Sequence, residues 1–585
     1  MSDRHGIFQA FAVALLVAAV IRTTAAEDHA VAKDAINGRF TVCGIPHQFK
    51  DGKIDWTFNP AYNGYREWPW QFARMYFLPA LADYYRESGD SRAAQTFVDV
   101  VGGFIDSAPP PPPGTRHGDT HSWRTLDTGL RATSWVDSYF AFTNSPLLTT
   151  AFREKFGRSL EDHLVRLETP MTSNNWRIME LRGLVDITLA FPFVRRAAER
   201  RAAAERELEA ILGKQLYPDG FQFELAPGYH TILDADYARL ADRYRAFGRT
   251  PPAFLEKGIE RAFEMYPHLV RPDRKLPDIN DSDAFDLCRR MQVAARLFPG
   301  RADYRWFATG GREGTAPTYL SYAFPYAGAV VFRDSWSTNA VWGYVDMSPF
   351  GRGHQHEDKL NFLLFAYGKE MLCEGGLFDY DSSEMRRYTL LSRAHNTVCI
   401  DGKGQCARRT WKWRDEMLHQ KADLAFETSA TCDVAKSTYA LGYGYEELGE
   451  PFDTSVTHTR TVEFVKGGAA PFFVVTDELR ASDDKEHSYE QVWHLETCRL
   501  DLKDTSFVAD FGDGVTLSAK FESANGRLTD QIARKEKYRW QGWKPIRPSG
   551  PHEHRPIHTP VLQGTFRGSA VLTSVFRPKR EASRR

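Results

Sequence analysis

The sequence predicts two structural classes in series: an all-α domain of stacked helical hairpins, then a large antiparallel β-sandwich. Three observations carry this multidomain reading. From about Trp68 to Leu297 apolar residues recur near the helical period. After about Ala316 short alternating or β-branched runs, separated by Gly- and Asp-rich turns, take over. A chain of 585 residues also exceeds one ordinary domain.

In chain order, Arg4 and His5 precede the apolar run Ala10 to Ile21, and Thr24-Ala25-Ala26 follows. A bilayer needs about 20 apolar residues, so this run reads as a signal-peptide core with a small-residue cleavage site. It predicts a leader over 1–26 and a periplasmic or secreted protein. A first helix carries Trp70, Phe72, Met75, Tyr76, Leu81 and Tyr84, with Pro79 as a kink and Gly89-Asp90 as its end. Further helices are expected around 92–106, 121–142, 147–167, 176–191, 198–215, 231–247, 252–267 and 283–297. The Pro109–Pro113 run reads as an extended connector. Strands are expected at Ala329–Arg333, Ala340–Asp346, Thr461–Lys466, Phe472–Asp477 and Val515–Phe521. In the last, Val515, Leu517, Ala519 and Phe521 alternate strictly, which puts one face on a core.

Composition excludes several classes of partner. With 75 Lys+Arg against 76 Asp+Glu the chain lacks the single-sign field of a nucleic-acid or polybasic membrane binder. The seven cysteines are odd in number and contain no CxxC pair, so they read as free or buried thiols. Fourteen Trp, 24 Tyr and 39 Phe supply core and, in part, surfaces on which sugars stack.

The densest polar cluster is Gly351-Arg-Gly-His354-Gln-His356-Glu-Asp358-Lys-Leu-Asn361. On a strand, His354 and His356 point the same way and reach one site. Neither a metallo-β-lactamase-like HxHxDH nor an HExxH spacing is present. Downstream, Glu374 and His395 could complete a tetrahedral zinc site with His356 and water, or the three could form a polar network inside the sandwich. In the helical half, Thr172-Ser-Asn174-Asn175-Trp176 opens a helix, with Ser173 or Asn174 as cap. Asp219-Gly220…Glu224…Gly228-Tyr229-His230 puts a tyrosine at another helix start. The acidic run Asp278-Ile-Asn280-Asp281-Ser-Asp283 is expected either to line the substrate cleft or, chiefly, to cap the helix after it.

Together these motifs resemble the heparinase II/III family of polysaccharide lyases. The matching pieces are Trp68-Pro-Trp70…Arg74, Ser88-Gly-Asp90, Asp127…Arg131, Asn174-Asn175-Trp176, Asp219-Gly220…Tyr229-His230, His354-x-His356, Ala394-His395-Asn396-Thr397 and Trp493-His494-Leu495. The resemblance covers most of the mature chain. It implies an incomplete (α/α) toroid over 27–315 and an antiparallel β-sandwich over 316–585. It also implies β-elimination on a 4-linked uronate polysaccharide: the C5 proton is removed and the C4–O bond breaks, which needs donors aimed at the developing enolate. By resemblance Asn175 holds the carboxylate, Tyr229 is acid, base or both, and His354 is its partner. Arg131, Asn174, His230 and Trp70 fall on matching segments as substrate-binding residues. His356, Glu374 and His395 bind a structural Zn2+ that fixes the loop presenting His354. A cationic surround, including Arg131, is expected to favour the tyrosinate.

There are departures. The family usually has Asp where Glu374 stands, and some members carry His where Trp176 stands; Trp at that place suits heparan-type better than alginate-type lyases. The near-zero net charge leaves a weakly sulfated or unsulfated polyuronate as open as a sulfated one. Two other readings remain: a glycoside hydrolase using two carboxylates among Asp278, Asp281 and Glu224, or a non-catalytic carbohydrate-binding protein.

Overall fold

The computed structural model describes residues 25–50, 53–61, 66–350, 353–380, 382–468, 470–536, 539–546 and 553–581. The expected leader lies outside them up to residue 24; Ala25–Ile36 is helical. No helix among the described residues is long and apolar enough to cross a membrane, and none of the seven cysteines is in a disulfide. The chain forms two compact units. One runs to Gly213 and takes in Ile232–Ile259; the other comprises Lys214–Thr231 and the chain from Glu260 on.

The first unit is built of helices, chiefly Phe77–Ser88, Ser91–Ser107, Thr125–Tyr139, Thr150–Glu168 and Asn174–Ala190. Local chemistry sets their ends. Gly89 closes the first at φ 68°, and the Asp90 carboxylate caps the second by accepting from Arg92 N at 3.0 Å. The single helix expected from Trp70 to Tyr84 is instead two, Glu67–Phe72 and Phe77–Ser88. Met75, at φ 55°, breaks it. Pro79 therefore makes no kink: it sits in a first turn, where its missing N–H has no helical partner to lose.

Thr125–Tyr139 and Asn174–Ala190 are buried on nearly every side, so their polar residues must be paired. Arg124 and Arg74 bind Asp127, and Thr133 and Arg243 bind Asp186. The two helices touch backbone to backbone. A Cβ on Gly183 would lie 2.4 Å from Gly129 O, so only glycine permits this approach.

In the second unit an eight-stranded antiparallel sheet runs Ala425–Thr428, Cys432–Tyr439, Val456–Val465, Phe472–Ala481, Ser569–Arg580, Val515–Glu522, Ser506–Asp510, Arg499–Lys503. Its long strands alternate buried and part-exposed residues. A five-stranded sheet from Tyr322 to Leu372 and a four-stranded sheet around His487–Val492 are joined by a bridge between Leu372 and Leu495. Phe362 of the five-stranded sheet packs on Phe473, and Trp493, just past His487–Val492, on Phe576. These contacts close the core of the sandwich.

One buried ion pair ties this core to the loops above it. Arg460 is paired with Asp477 through two hydrogen bonds. The same guanidinium donates to Leu360 O and Asn396 O, each at 2.5 Å. It thereby fixes the segments that carry His356 and His395.

Candidate functional site

Residues 280–282 stitch together two other short segments of the second unit, 225–228 and 354–356. Asn280 donates to Leu225 O at 2.9 Å, and its Oδ1 accepts from His356 N at 3.0 Å. Asp281 N donates to His354 O, and the Ser282 hydroxyl accepts from Gly228 N. The result sets Tyr229 against His354. Their rings stack with centroids 3.6 Å apart and planes 18° from parallel. The two histidines lie on a loop, not on the expected strand, and His354 adopts φ 72°. They still converge on one carboxylate: Asp281 meets His354 Nδ1 at 3.1 Å and His356 Nε2 at 2.9 Å. Arg386 binds both oxygens of the same carboxylate, at 2.5 and 2.8 Å. The acidic run thus does not cap the next helix, whose first amide is met by Asp286.

Two groups at this site were not singled out from sequence. Tyr380 shares a 2.7 Å hydrogen bond with the Tyr229 hydroxyl and lies 3.3 Å from His354 Nδ1. Arg386 stands 4.7 Å from the Tyr380 ring centroid. Tyr380 follows Glu374 in the sequence, but nothing in its spacing marks it out.

The electrostatics reverse one expectation. Burial pushes the Tyr229 phenol up to about 12, against the lowering effect of its bond to Tyr380, while Asp281 and Glu224 push it further up. Arg386 is the cation that opposes this, and the site does not favour the tyrosinate. Burial alone would raise Asp281 too, but hydrogen bonds from His354, His356 and Arg386 hold it well below the usual carboxylate range. An ionised carboxylate only accepts, so it takes the protons of His354 Nδ1 and His356 Nε2. That leaves His354 Nε2 as an acceptor.

His356, Glu374 and His395 come together in the buried region behind His354, their donor atoms all within 4.8 Å of one another. His356 Nδ1 is buried with no hydrogen-bond partner, while Asp281 engages its other nitrogen. His395 Nε2 is held by Thr389 O at 3.0 Å, which leaves Nδ1 facing Glu374. A histidine whose far nitrogen is fixed by a carboxylate or carbonyl is oriented as metal-ligating histidines are. The donor set fits a divalent ion of the zinc type. Burial alone would lower His395, but Glu374 and Asp358 outweigh it and raise it to about 9.

The other predicted positions fall differently. His230 is fully buried, its Nδ1 accepting from Gln222 N and its Nε2 meeting Ala262 O at 2.8 Å. It holds a turn and offers no atom to a ligand. Arg131, in the helical unit, is likewise fully buried, donating to Ser122 O, Ala73 O and His163. Both side chains are turned into the interior of their own units: a motif records that a polar group is required, not which way it points. Asn174 and Asn175 open the helix Asn174–Ala190 behind Ser173, which makes no side-chain cap. Asn174 takes φ 55°, which asparagine tolerates. Trp70 lies under Arg124, whose guanidinium is 3.6 Å from its ring, and Trp176 is 46% exposed nearby.

Comparison with known proteins gives a consistent answer. The family model described as heparinase II/III N-terminus matches residues 12–306, and that described as heparinase II/III-like, C-terminal, matches 316–541. A heparin-sulfate lyase of Pedobacter heparinus is 30% identical over 454 residues, covering 74% of this chain and 63% of that protein. One from Bacteroides stercoris is 26% identical, covering 80% and 70%. Less than two thirds of the Pedobacter protein's length is therefore spanned. Among solved structures, a heparinase III superposes with TM-score 0.78 at 18% identity, covering 97% of this chain and 86% of its own. A mutant heparan sulfate lyase from Pedobacter heparinus gives 0.71 at 23% identity, covering 96% and 84%. At those identities the structures establish the fold, an (α/α) toroid with a β-sandwich.

Proposed function

Because the chain belongs to the heparinase II/III family, we propose that it is a polysaccharide lyase that cleaves a heparan-sulfate-type chain by β-elimination. The observation that carries this reading is the Tyr229–His354 stack, with His354 Nδ1 tied to Asp281. A phenol pushed up to about 12 is protonated at neutral pH and is a proton donor. His354 Nε2 is the acceptor beside it. In this reading His354 takes the C5 proton and Tyr229 delivers a proton to the departing O4, with Tyr380 orienting the phenol. Asp281 holds the His354 ring in place through Nδ1, as a carboxylate behind a catalytic histidine does. The carboxylate-binding role of Asn175 rests on the family resemblance.

The same reading assigns a structural zinc to His356, Glu374 and His395. When bound, such an ion neutralises Glu374 and pins the loop that carries His354. Export behind a leader ending near Ala26 belongs with this reading, and the N-terminal residue of mature protein tests it.

The hydrolase alternative has less support: Asp281 is engaged by Arg386 and two histidines, and Asp278 lies among Lys544, Arg271 and Glu370. The experiment is a substrate panel of heparan sulfate, hyaluronan, alginate and glucuronan. It reads the ultraviolet absorbance of the unsaturated product. Absorbance on heparan sulfate supports the proposal; none on any member, from folded metal-loaded protein, overturns it.

A further inference from the structure

Tryptophan is a highly buried residue on average, yet Trp176 is 46% exposed. It is not a loose surface ring. The His117 ring lies 5.3 Å from it at 32°, and the Arg124 guanidinium stands 5.8 Å from its centroid and 3.6 Å from that of Trp70. Each neighbour is pinned in turn. Arg124 is fixed on Asp127 by two hydrogen bonds, and Thr125 N donates to His117 Nδ1 at 3.2 Å. The helix turn that presents Trp176 is held by Arg177, which donates to Glu207, Leu167 O and Glu180. All of these residues belong to the helical unit. An indole held this rigidly, with the rest of its surface in water, is a preformed platform, and little entropy is lost when a ring settles on it.

The neighbourhood says which ring. The cations around Trp176 are spent on the protein itself: Arg124 on Asp127, Arg177 on Glu180 and Glu207, and Arg166 on the carbonyls of Trp123, Thr115 and Arg116. Burial, with Arg124 beside it, lowers His117 to about 4, so its imidazole is uncharged at neutral pH. The face of an aromatic ring is negative and repels an anion. A sulfate brought there would lose water with none of these cations free to meet it. The C–H face of a pyranose meets neither cost. Trp176 also directly follows Asn175, to which the family resemblance gives the substrate carboxylate.

We infer that Trp176 is a specificity-determining residue, a stacking platform for an unsulfated pyranose of the substrate chain next to the uronate held at Asn175. This rests on the heparan-type reading above, and the test separates the two. Hexasaccharides of the heparan backbone, one unsulfated and one fully sulfated, are titrated calorimetrically into full-length Tyr229→Phe protein, which leaves the sugar uncut. The titrations are repeated with Trp176→Ala, Trp176→Phe or Trp176→Arg added to this parent, and kcat and KM are read with each Trp176 change alone. Trp176→Ala is expected to weaken binding of the unsulfated sugar about 10-fold and to raise KM with little change in kcat. Trp176→Phe keeps an aromatic face and most of the affinity. Trp176→Arg supplies a free cation and shifts the preference toward the sulfated sugar. Because the side chain is nearly half exposed, all three variants should melt with their parent. If Trp176→Ala does not fold, Trp176→Arg decides the matter: a shift toward the sulfated sugar upholds the inference, and an unchanged ratio of the two affinities overturns it. A parent that binds the unsulfated sugar equally well with and without the Trp176 indole overturns the platform and leaves the heparan-type reading standing. A parent that prefers the sulfated sugar does the same. A parent that binds neither sugar overturns the heparan-type reading and this inference with it.

Discussion

Tyr229 lies flat on His354, ring centroids 3.6 Å apart, and the two reach that arrangement from segments 125 positions apart in the chain through one intermediary, Asp281 and its neighbours. The proton donor and the proton acceptor are thus held by a common clasp. Replacing Tyr229 by Phe removes only the hydroxyl and keeps the stack. Turnover is expected to fall about 10²-fold or more with the thermal midpoint nearly unchanged, as measured by the product absorbance and by calorimetry.

Tyr380 supports Tyr229 from outside through a 2.7 Å hydrogen bond. Tyr380→Phe should lower kcat about tenfold, the worth of one such bond, with a smaller change in KM. A loss as large as that of Tyr229→Phe would instead make Tyr380 a proton carrier in its own right.

The metal centre predicts a stability effect separate from activity. Zinc at about 100 times its Kd stabilises a folded-only site by about 2.7 kcal/mol. Tm should rise on adding zinc to stripped protein, and His395→Ala should abolish the rise. Equal Tm with and without zinc in wild type contradicts the assignment.

The buried histidines set the acid limit of the fold. Burial lowers His230 to about 3 and His163 well below its ordinary value. Unfolded, each titrates near 6.5. Their contribution is therefore fully present above pH 6.5 and is lost as pH falls from there toward 3, because the unfolded chain binds the extra proton. Each costs roughly 1.4 kcal/mol per pH unit in that window. Tm recorded from pH 7 to pH 4 should fall, and His230→Gln should make the fall shallower.

The helical unit offers a steric test. Gly183→Ala sets a methyl against Gly129 O and Gly129 Cα. Overpacking of this kind costs about 1–3 kcal/mol or more, read as a lower urea midpoint.

Much of this was legible in the sequence, for reasons that differ by element. Strand Val515–Glu522 declares itself because one face is buried and period two is visible. Helices Thr125–Tyr139 and Asn174–Ala190 are buried all round, so their periodicity is faint and their bounds were less sharp. His354, His356 and Tyr229 stand in compact motifs. Arg386 and Tyr380 do not, and Asp281 stands in an acidic run whose role is not legible: what these three do exists only once distant segments meet. That Arg131 and His230 are buried was not legible, because the need for a buried polar residue and the need for a ligand contact leave the same mark in one sequence.

The central claim is elimination by the Tyr229–His354 pair, and product mass tests it most directly. Heparan sulfate digested by wild-type protein should yield oligosaccharides with an unsaturated uronate at the new non-reducing end and no added water. Products heavier by one water, with saturated ends, would contradict the account and point to hydrolysis.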